Sequence, residues 1–598
     1  MGAPARDSKL RTLVRLIGFL APYRLSLFAS IALAVAGQFA GMTIPWLTGK
    51  AIDEALPTSD GGRLALLVGL VVAFGALRAL LMLARRLLSG RQALAVEYDM
   101  RNALYRHLLR LSFGFFDRMQ TGQLMSRATV DLQHVRFFLG YGLIFLVQHV
   151  LTVIGVAAIL FVVDWKLALV ALAITPAVVY VAYRYSRTSH PIMRDVQQRL
   201  ADVTSTTEES IVGINVVKSF AKEEDVSQVF KGRTEAHFDE TVRATRNRAV
   251  YNPLLNAIPL AAQAAVLVVG GLFVIDGTLT LGEFVAFNVY VLMLVMPLRM
   301  LGMWVGQAQR ATASGERIFE LLDEPEEIAD APAAQPLPEG DGAIRFERVT
   351  FTYNESPAVL RDVDLDVPAG RVVALVGKTG SGKSTLCGLV PRFYEPRSGR
   401  ILVDGVDVRK LRLDSLRRAI GIVSQDPFLF SATVRENIAF GVAEAADEAV
   451  VAAAKAAQAH EFIEKLPSGY ETVVGERGIT LSGGQRQRIA IARTILIDPR
   501  ILVLDDATAS VDATIEARIR TALRAVMRGR TTIIIAHRLS TLALADEIVV
   551  LADGRVAARG THEQVLHASG VYREIVEHGL LGGLTPESPE ARQAEAVS

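Results

Sequence analysis

Apolar residues in the first half of the chain run together instead of recurring at intervals. Runs of spanning length fall at about Leu25–Leu47, Leu64–Ala84, Tyr141–Val163, Leu167–Ala182, Leu254–Ile275 and Leu281–Val305. Each approaches the roughly 20 residues that cross a hydrocarbon layer about 30 Å thick, so six membrane helices are expected. The fourth is the shortest, and Pro176 inside it predicts a bend. Pro253, Pro259 and Pro297 are tolerable because neighbouring helices satisfy freed backbone groups. The segments 85–140 and 184–248 are too periodic and too charged for loops, and fit helices that continue the spans beyond the bilayer. Ser8–Tyr23 reads as an amphipathic helix on the inner surface.

The pattern then changes. From Asp323 to Gly342 the chain is acidic and proline-rich, which predicts a linker without a core. Short apolar runs such as Val372–Val376, Ile420–Ser424, Ile501–Leu504 and Ile533–Ala536 read as buried strands between helical segments. The expected division is a membrane domain over 1–322, a linker over 323–342, an α/β domain over 343–579 and a disordered tail over 580–598.

Arginine and lysine set the orientation. Arg6, Lys9, Arg11, Arg15 and Arg24 precede the first run and the two long polar segments are rich in arginine, whereas the loop 276–280 has none. Both ends are therefore cytoplasmic, and the first run is a membrane helix, too long for a cleavable signal. The composition agrees: 51% hydrophobic residues over 598 positions is too apolar for a soluble protein of this size. A net charge of +2 provides no field for nucleic acid, and the one cysteine, Cys387, excludes an internal disulfide. Cys387 reads as a small helix residue.

Residues 377–384 read Gly377-Lys378-Thr379-Gly380-Ser381-Gly382-Lys383-Ser384, followed by Thr385. In this pattern the glycines let backbone N–H groups turn onto phosphates, the lysine reaches the terminal ones, and the Ser384 hydroxyl ligates Mg²⁺. A strand before it and a helix after it are both expected, at Val372–Val376 and Ser384–Val390. Asp505 ends the strand Ile501–Leu504, where a carboxylate holds Mg²⁺ through water beside Ser384. Leu481-Ser482-Gly483-Gly484-Gln485 opens a helix over 486–497, with Ser482 in a capping position and glycines that admit an anion to the backbone.

Taken together, these motifs resemble the ATPase domain of ABC transporters, and residues 8 to 578 resemble an exporter-type half-transporter of the lipid-flippase and multidrug group. The resemblance implies a multidomain fold: an all-α six-helix transmembrane domain with long cytoplasmic extensions, then an α/β P-loop ATPase domain. It implies ATP and Mg²⁺ as ligands, hydrolysis coupled to transport, and a place in the bacterial inner membrane. Gly377 to Thr385 would hold the phosphates, with Tyr353 on the adenine. Gln425 would touch the metal with Ser384 and Asp505, His537 would contact the γ-phosphate, Asp506 would stand at the catalytic carboxylate, and Asp512 would lie in the loop after it. Ser482, Gly483, Gly484 and Gln485 would close over the nucleotide of a second half-transporter. Gly122–Thr129 matches the family's first coupling helix, and Ile211–Glu224 the region of the second.

One departure matters more than any match. The family's usual strand end is Asp-Glu, and here it is Asp505-Asp506. A carboxylate shorter by one methylene reaches about 1.5 Å less far, and misplacement on that scale costs roughly 10²-fold in rate. Ala509-Ser510-Val511-Asp512 also stands where Ser-Ala-Leu-Asp is common. This resembles the degenerate-site half of a heterodimeric bacterial exporter, whose partner is a non-identical chain. The alternatives are a homodimer with a slow Asp-based ATPase and, less favoured, an ATP-gated channel on the same scaffold. Six spans and absent heptads argue against a soluble DNA-repair or chromosome-organising ATPase. Polar groups in the spans are sparse (Gln38, Arg78, Gln148, His149, Asn252, Asn256, Gln263, Asn288 and Arg299), and each arginine is a candidate cargo contact or an interfacial anchor. Mostly apolar helices among membrane lipids suit an amphipathic or lipid-like cargo.

The orientation is testable by labelling intact cells with an impermeant maleimide. A cysteine at Gly277 is expected to react and one at Ser126 to stay protected; the reverse pattern overturns it.

Overall fold

The computed structural model describes residues 4–173, 175–353, 356–442, 444–475, 478, 480–505, 513–536 and 538–577. The expected tail, 580–598, lies outside them. Contacts divide the chain into one unit formed by Met1–Leu109 with Gly122–Asp323 and a second formed by Arg110–Thr121 with Glu324–Ser598.

The first unit is helical: α1 (Pro4–Gly18), α2 (Arg24–Lys50) and α3 (Gly61–Leu108) come before the short α4 (Phe113–Arg118). Next are α5 (Thr121–Ser126), α6 (Leu132–Phe137), α7 (Leu143–Val163), α8 (Trp165–Leu172), α9 (Thr175–Val212), α10 (Ile214–Ser219), α11 (Glu223–Ile275) and α12 (Leu281–Leu322). Among the described residues five stretches are long and apolar enough to cross a membrane: Ala21–Ala55, Gly61–Leu108, Thr121–Val163, Glu223–Ile275 and Leu281–Leu322. The fourth expected span is divided between α8 and α9. Pro176 falls in the first turn of α9, where a missing N–H costs nothing and the fixed φ suits a helix start. At about 1.5 Å per residue, the 48 residues of α3 and the 53 of α11 run roughly 70–80 Å, well past a bilayer core.

Pairings distant in sequence hold this unit together. The apolar face of α1 closes on α12: Leu16 is fully buried, and a Cβ at Gly315 would lie 2.7 Å from its Cδ1. Arg15 donates to both carboxylate oxygens of Asp323 at 2.6 and 2.8 Å and lies 3.9 Å over the Phe319 ring. The helix expected to lie on the membrane surface therefore spends much of its apolar face on α12. The buried carboxylate of Asp131 accepts from Arg317 Nε at 2.9 Å and from its Nη2.

The second unit is α/β. An antiparallel sheet joins β1 (Ile344–Phe351), β2 (Leu360–Val367), β4 (Ser398–Val403) and β5 (Val406–Asp407) in the order β2-β1-β4-β5. A larger sheet has the order β10-β9-β3-β8-β7-β6, from β3 (Val372–Val376), β6 (Ile420–Val423), β7 (Ile501–Asp505), β8 (Thr531–Ile535), β9 (Glu547–Ala552) and β10 (Arg555–Gly560). Its parallel strands β3, β7 and β8 are almost wholly buried, which explains their unbroken apolar runs. α13 (Lys383–Leu389) follows β3.

Two details go beyond the expected division. The acidic segment 323–342 is tied down. Gln335 exchanges backbone bonds with Lys410 and Arg412, Asp330 accepts from the Leu413 N–H at 2.8 Å, and the Leu337 N–H donates to Ser415 Oγ at 2.9 Å. Its composition forecast the lack of a core but not these backbone bonds. The segment that packs in the second unit also begins before Gly122–Thr129. It is 110–121, where Phe113 stacks on Phe393 at 4.3 Å and Asp117 accepts from the Tyr394 hydroxyl at 2.7 Å. Arg127, by contrast, turns to Glu320 of α12.

The Asp131–Arg317 pair is asymmetric, its side chains 4% and 46% exposed. Arg317→Ala strands a buried charge and is expected to cost about 3 kcal/mol. Asp131→Ala leaves an arginine that water can reach and should cost clearly less; melting of the purified variants checks the order.

Candidate functional site

The phosphate loop leaves β3 at Gly377 and enters α13 at Lys383, with Gly382 as the residue before the helix. Gly380 and Gly382 have φ of +83° and +98°, a region side chains avoid. Gly377 has no room for a side chain, since a Cβ would lie 2.3 Å from the Leu551 carbonyl oxygen. Lys383 is buried, and its Nζ donates to the carbonyls of Gly377 at 2.7 Å and Lys378 at 3.0 Å. Burial pulls its ammonium below the ordinary lysine range, and the Asp505 carboxylate offsets part of that. Among the described residues the buried Ser381 Oγ has no hydrogen-bond partner, a donor that a phosphate oxygen would satisfy. Ser384 is exposed between the buried Lys383 and Thr385. An orphaned donor, a buried cation and a left-handed glycine loop at a helix start fit a polyphosphate. Lys378 is turned outward to Glu574, 2.8 Å away.

Asp505 closes β7 in register with Ile535 of β8, and Gln425 is exposed just past β6. With Ser384 they offer oxygen donors alone, which suits Mg²⁺ held largely by nucleotide and water. No cluster of three or more His, Cys, Asp or Glu occurs among the described residues. Asp506, Asp512 and His537 lie outside the described residues.

Tyr353 is half-buried, edge-on to Phe351 at 4.8 Å and to Tyr394 at 5.3 Å, and its hydroxyl meets Thr385 Oγ1 at 3.0 Å. It borders a cleft of about 770 Å³ that Asp117, Arg118, Glu327, Phe393 and Tyr394 also line. Asp117 and burial both push the Tyr394 phenol up, burial the more strongly.

The helix Gly483–Ile497 is capped by Ser482. Its Oγ accepts from the Gln485 N–H at 3.3 Å, and its N–H donates to Gln485 Oε1 at 2.8 Å. Ser482 and Gly483 are exposed, and a Cβ at Gly483 would meet nothing within 4 Å. The buried Gln487 donates to the Ser424 carbonyl at 3.3 Å, which ties this helix to the residue before Gln425. Arg493 donates to the Asn437 carbonyl at 2.8 Å and the Phe428 carbonyl at 3.2 Å, while Asn437 bonds both backbone groups of Phe430. Sequence reasoning missed Asn437, Gln487, Arg493 and Tyr394, which work by pairing across distance and carry no local motif.

Residues 27–298 match the family described as the ABC transporter transmembrane region, and residues 360–509 the one described as ABC transporter. An uncharacterized ABC transporter ATP-binding protein of Bacillus subtilis, YknU, is 41% identical over 80% of this chain and 82% of its own length. The multidrug efflux ATP-binding/permease protein Rv0194 of Mycobacterium tuberculosis is 39% identical over 94% of this chain and 47% of its own length. Among solved structures, a bacterial Atm1-family ABC exporter with ATP bound aligns with a TM-score of 0.77 and 32% identity, covering 93% of this chain and 98% of that one.

Lys383→Ala removes the one buried cation of the loop. ATP affinity at this site is expected to fall roughly 10- to 100-fold, read by equilibrium binding of a fluorescent ATP analogue; unchanged affinity would rule out the loop as the phosphate site.

Proposed function

The chain belongs to the ABC transporter family as an exporter half-transporter, a membrane-spanning protein whose cytoplasmic ATPase domain couples hydrolysis to transport, and from that premise we propose that it is the degenerate-site half of a heterodimer exporting an amphipathic or lipid-like, drug-like cargo. The observation that carries the proposal is in the chain itself: a shortened carboxylate, Asp506, in the same polypeptide as an intact signature, Ser482 to Gln485.

Two features support a two-chain working unit. The signature's Ser482 and Gly483 are open to solvent. The tip around α10 exposes Ile211, Val212, Val216 and Phe220, between 62% and 80% exposed, while Phe428, Phe430 and Phe440 form an exposed aromatic patch on the α/β unit. Apolar tips and apolar patches of this size suit docking between two chains. The Mycobacterium tuberculosis efflux protein, about twice as long as its match to this chain, is in keeping with two such modules acting together.

Within one composite site, Gly377 to Thr385 bind the phosphates, Lys383 neutralises the terminal ones, and Tyr353 orients the base. Ser384, Gln425 and Asp505 would hold Mg²⁺, which neutralises charge on the β- and γ-phosphates when bound. Asp506 positions the attacking water poorly because it is short, and His537 contacts the γ-phosphate. Asp512 would be a further nucleotide contact. ATP binding draws two ATPase domains together over the signatures. The docking segments transmit that closure, and the spans exchange inward- for outward-facing states. Hydrolysis resets the cycle. A homodimer with a slow Asp-based ATPase is the second reading, favoured if Asp506 suffices.

The two damaged sites should behave differently. Ser482→Arg blocks the partner's competent site and is expected to abolish most ATPase activity of the complex, whereas Asp506→Asn lowers it modestly. Steady-state hydrolysis by the purified complex checks this. Equal losses, or a single chain as active as the complex, would make Asp506 a working catalytic residue and the asymmetric heterodimer wrong.

A further inference from the structure

Three aromatic rings meet beside the start of α13. Tyr353 stands edge-on to Phe351 at 4.8 Å and 89° and to Tyr394 at 5.3 Å and 86°, and its hydroxyl meets Thr385 Oγ1 at 3.0 Å. Two perpendicular neighbours and a hydrogen bond at the tip restrict how that ring can turn. Tyr394 is held in its turn. Its ring lies over Gly388 of α13, 3.6 Å from where a Cβ would stand, and its hydroxyl donates to Asp117 Oδ2 at 2.7 Å. Burial and the Asp117 charge both push the phenol up, so it keeps its proton and stays the donor.

Asp117 belongs to α4 in the docking segment, which is anchored on both sides of it. Phe113 stacks on Phe393 at 4.3 Å, Ser112 Oγ donates to Glu327 at 3.0 Å, and Arg118 pairs with Glu324 at 3.2 Å. An exposed polar pair alone is worth little, but an acceptor carried on an anchored turn has little freedom to leave its donor. The bond from a phenol to a carboxylate is also charge-assisted. Asp117 and Arg118 line the same cleft that Tyr353 borders.

We propose that Asp117 is a positioning residue for the nucleotide base: acting through Tyr394, it fixes the ring of Tyr353 on which the adenine stacks, and so ties the docking segment to the ATP bound by the same chain. The inference rests on the reading of Tyr353 as the base platform and adds to it a residue from outside the ATPase sequence. A ring held in its stacking orientation before the ligand arrives loses less freedom on binding, which tightens the hold on the base. The coupling is reciprocal: what Asp117 contributes to ATP binding, ATP returns to the docking of α4. The route from Asp117 ends at the base platform, whereas Lys383 and the glycine loop hold the phosphates, so a base-free polyphosphate should not sense it.

The test uses the assembled transporter in nanodiscs. 2-Azido-ATP photocrosslinked to this chain over a range of concentrations reads affinity at the chain's own site, and inorganic tripolyphosphate as competitor reads the phosphate loop alone. Tyr353→Ala is expected to weaken binding of the azido nucleotide about tenfold or more, the scale of one base stacked on an aromatic ring. Asp117→Ala should weaken it about three- to tenfold, and Tyr394→Phe, which removes only the hydroxyl, by the same factor, with no further loss when the two are combined. Asp117→Asn keeps an acceptor and should retain most of the affinity. The Asp117 and Tyr394 variants should leave the affinity for tripolyphosphate unchanged, and in a Tyr353→Ala background Asp117→Ala should have no effect. Losses that multiply with that of Tyr353→Ala, or that extend equally to tripolyphosphate, would make Asp117 merely structural and overturn the inference. Unaltered affinity in Asp117→Ala beside a weakened Tyr353→Ala would overturn it while the base platform stood. Full affinity in Tyr353→Ala would instead remove Tyr353 from the nucleotide site, and the inference with it.

Discussion

In lipid a backbone has no water to bond, and every N–H and C=O must find its partner inside the same helix. The long helices follow from this. A chain that cannot turn within the bilayer turns beyond it, so α3 and α9 run far past the hydrocarbon thickness before the chain reverses at α4 and α10. Residues 110–121 are such a reversal, joined covalently to helices of the first unit at both ends and packed in the second.

The contacts of that piece lie within the second unit. Phe113 on Phe393 and Tyr394 on Asp117 hold α4, and Tyr394 is also edge-on to Tyr353. Aromatic pairs contribute about 0.5–1.5 kcal/mol each beyond area burial. A second cluster, Asn437 with Arg493 and Gln487 with Ser424, binds the signature helix to the chain around Gln425. Burial pulls the Arg493 guanidinium below its ordinary range, and its backbone acceptors hold it in one position.

Much of this was legible in the sequence because its causes are local. Run length marks a membrane span, and a glycine loop between strand and helix marks a phosphate site. Ser482 with Gln485 three residues on marks a helix cap, and the cap is present with both bonds made. Where the causes are not local, the sequence says less. The acidic linker is strapped to Lys410 and Arg412 by backbone groups that every residue carries, and composition is silent about them. The docking segment lies ahead of Gly122–Thr129 because Phe113 meets aromatic partners some 280 positions away, at Phe393 and Tyr394.

Sequence alone determined the class of the molecule: which segments are apolar enough to enter lipid, which loop between strand and helix carries the glycine pattern, and that Asp505 is followed by a second aspartate. Those properties reside in side-chain chemistry and short-range spacing. Tertiary structure alone decided the pairings: Arg15 with Asp323, Asp131 with Arg317 and Tyr394 with Asp117. A charge records its sign in the sequence, but its energy depends on burial and on what stands within a few ångströms, which only the folded chain sets.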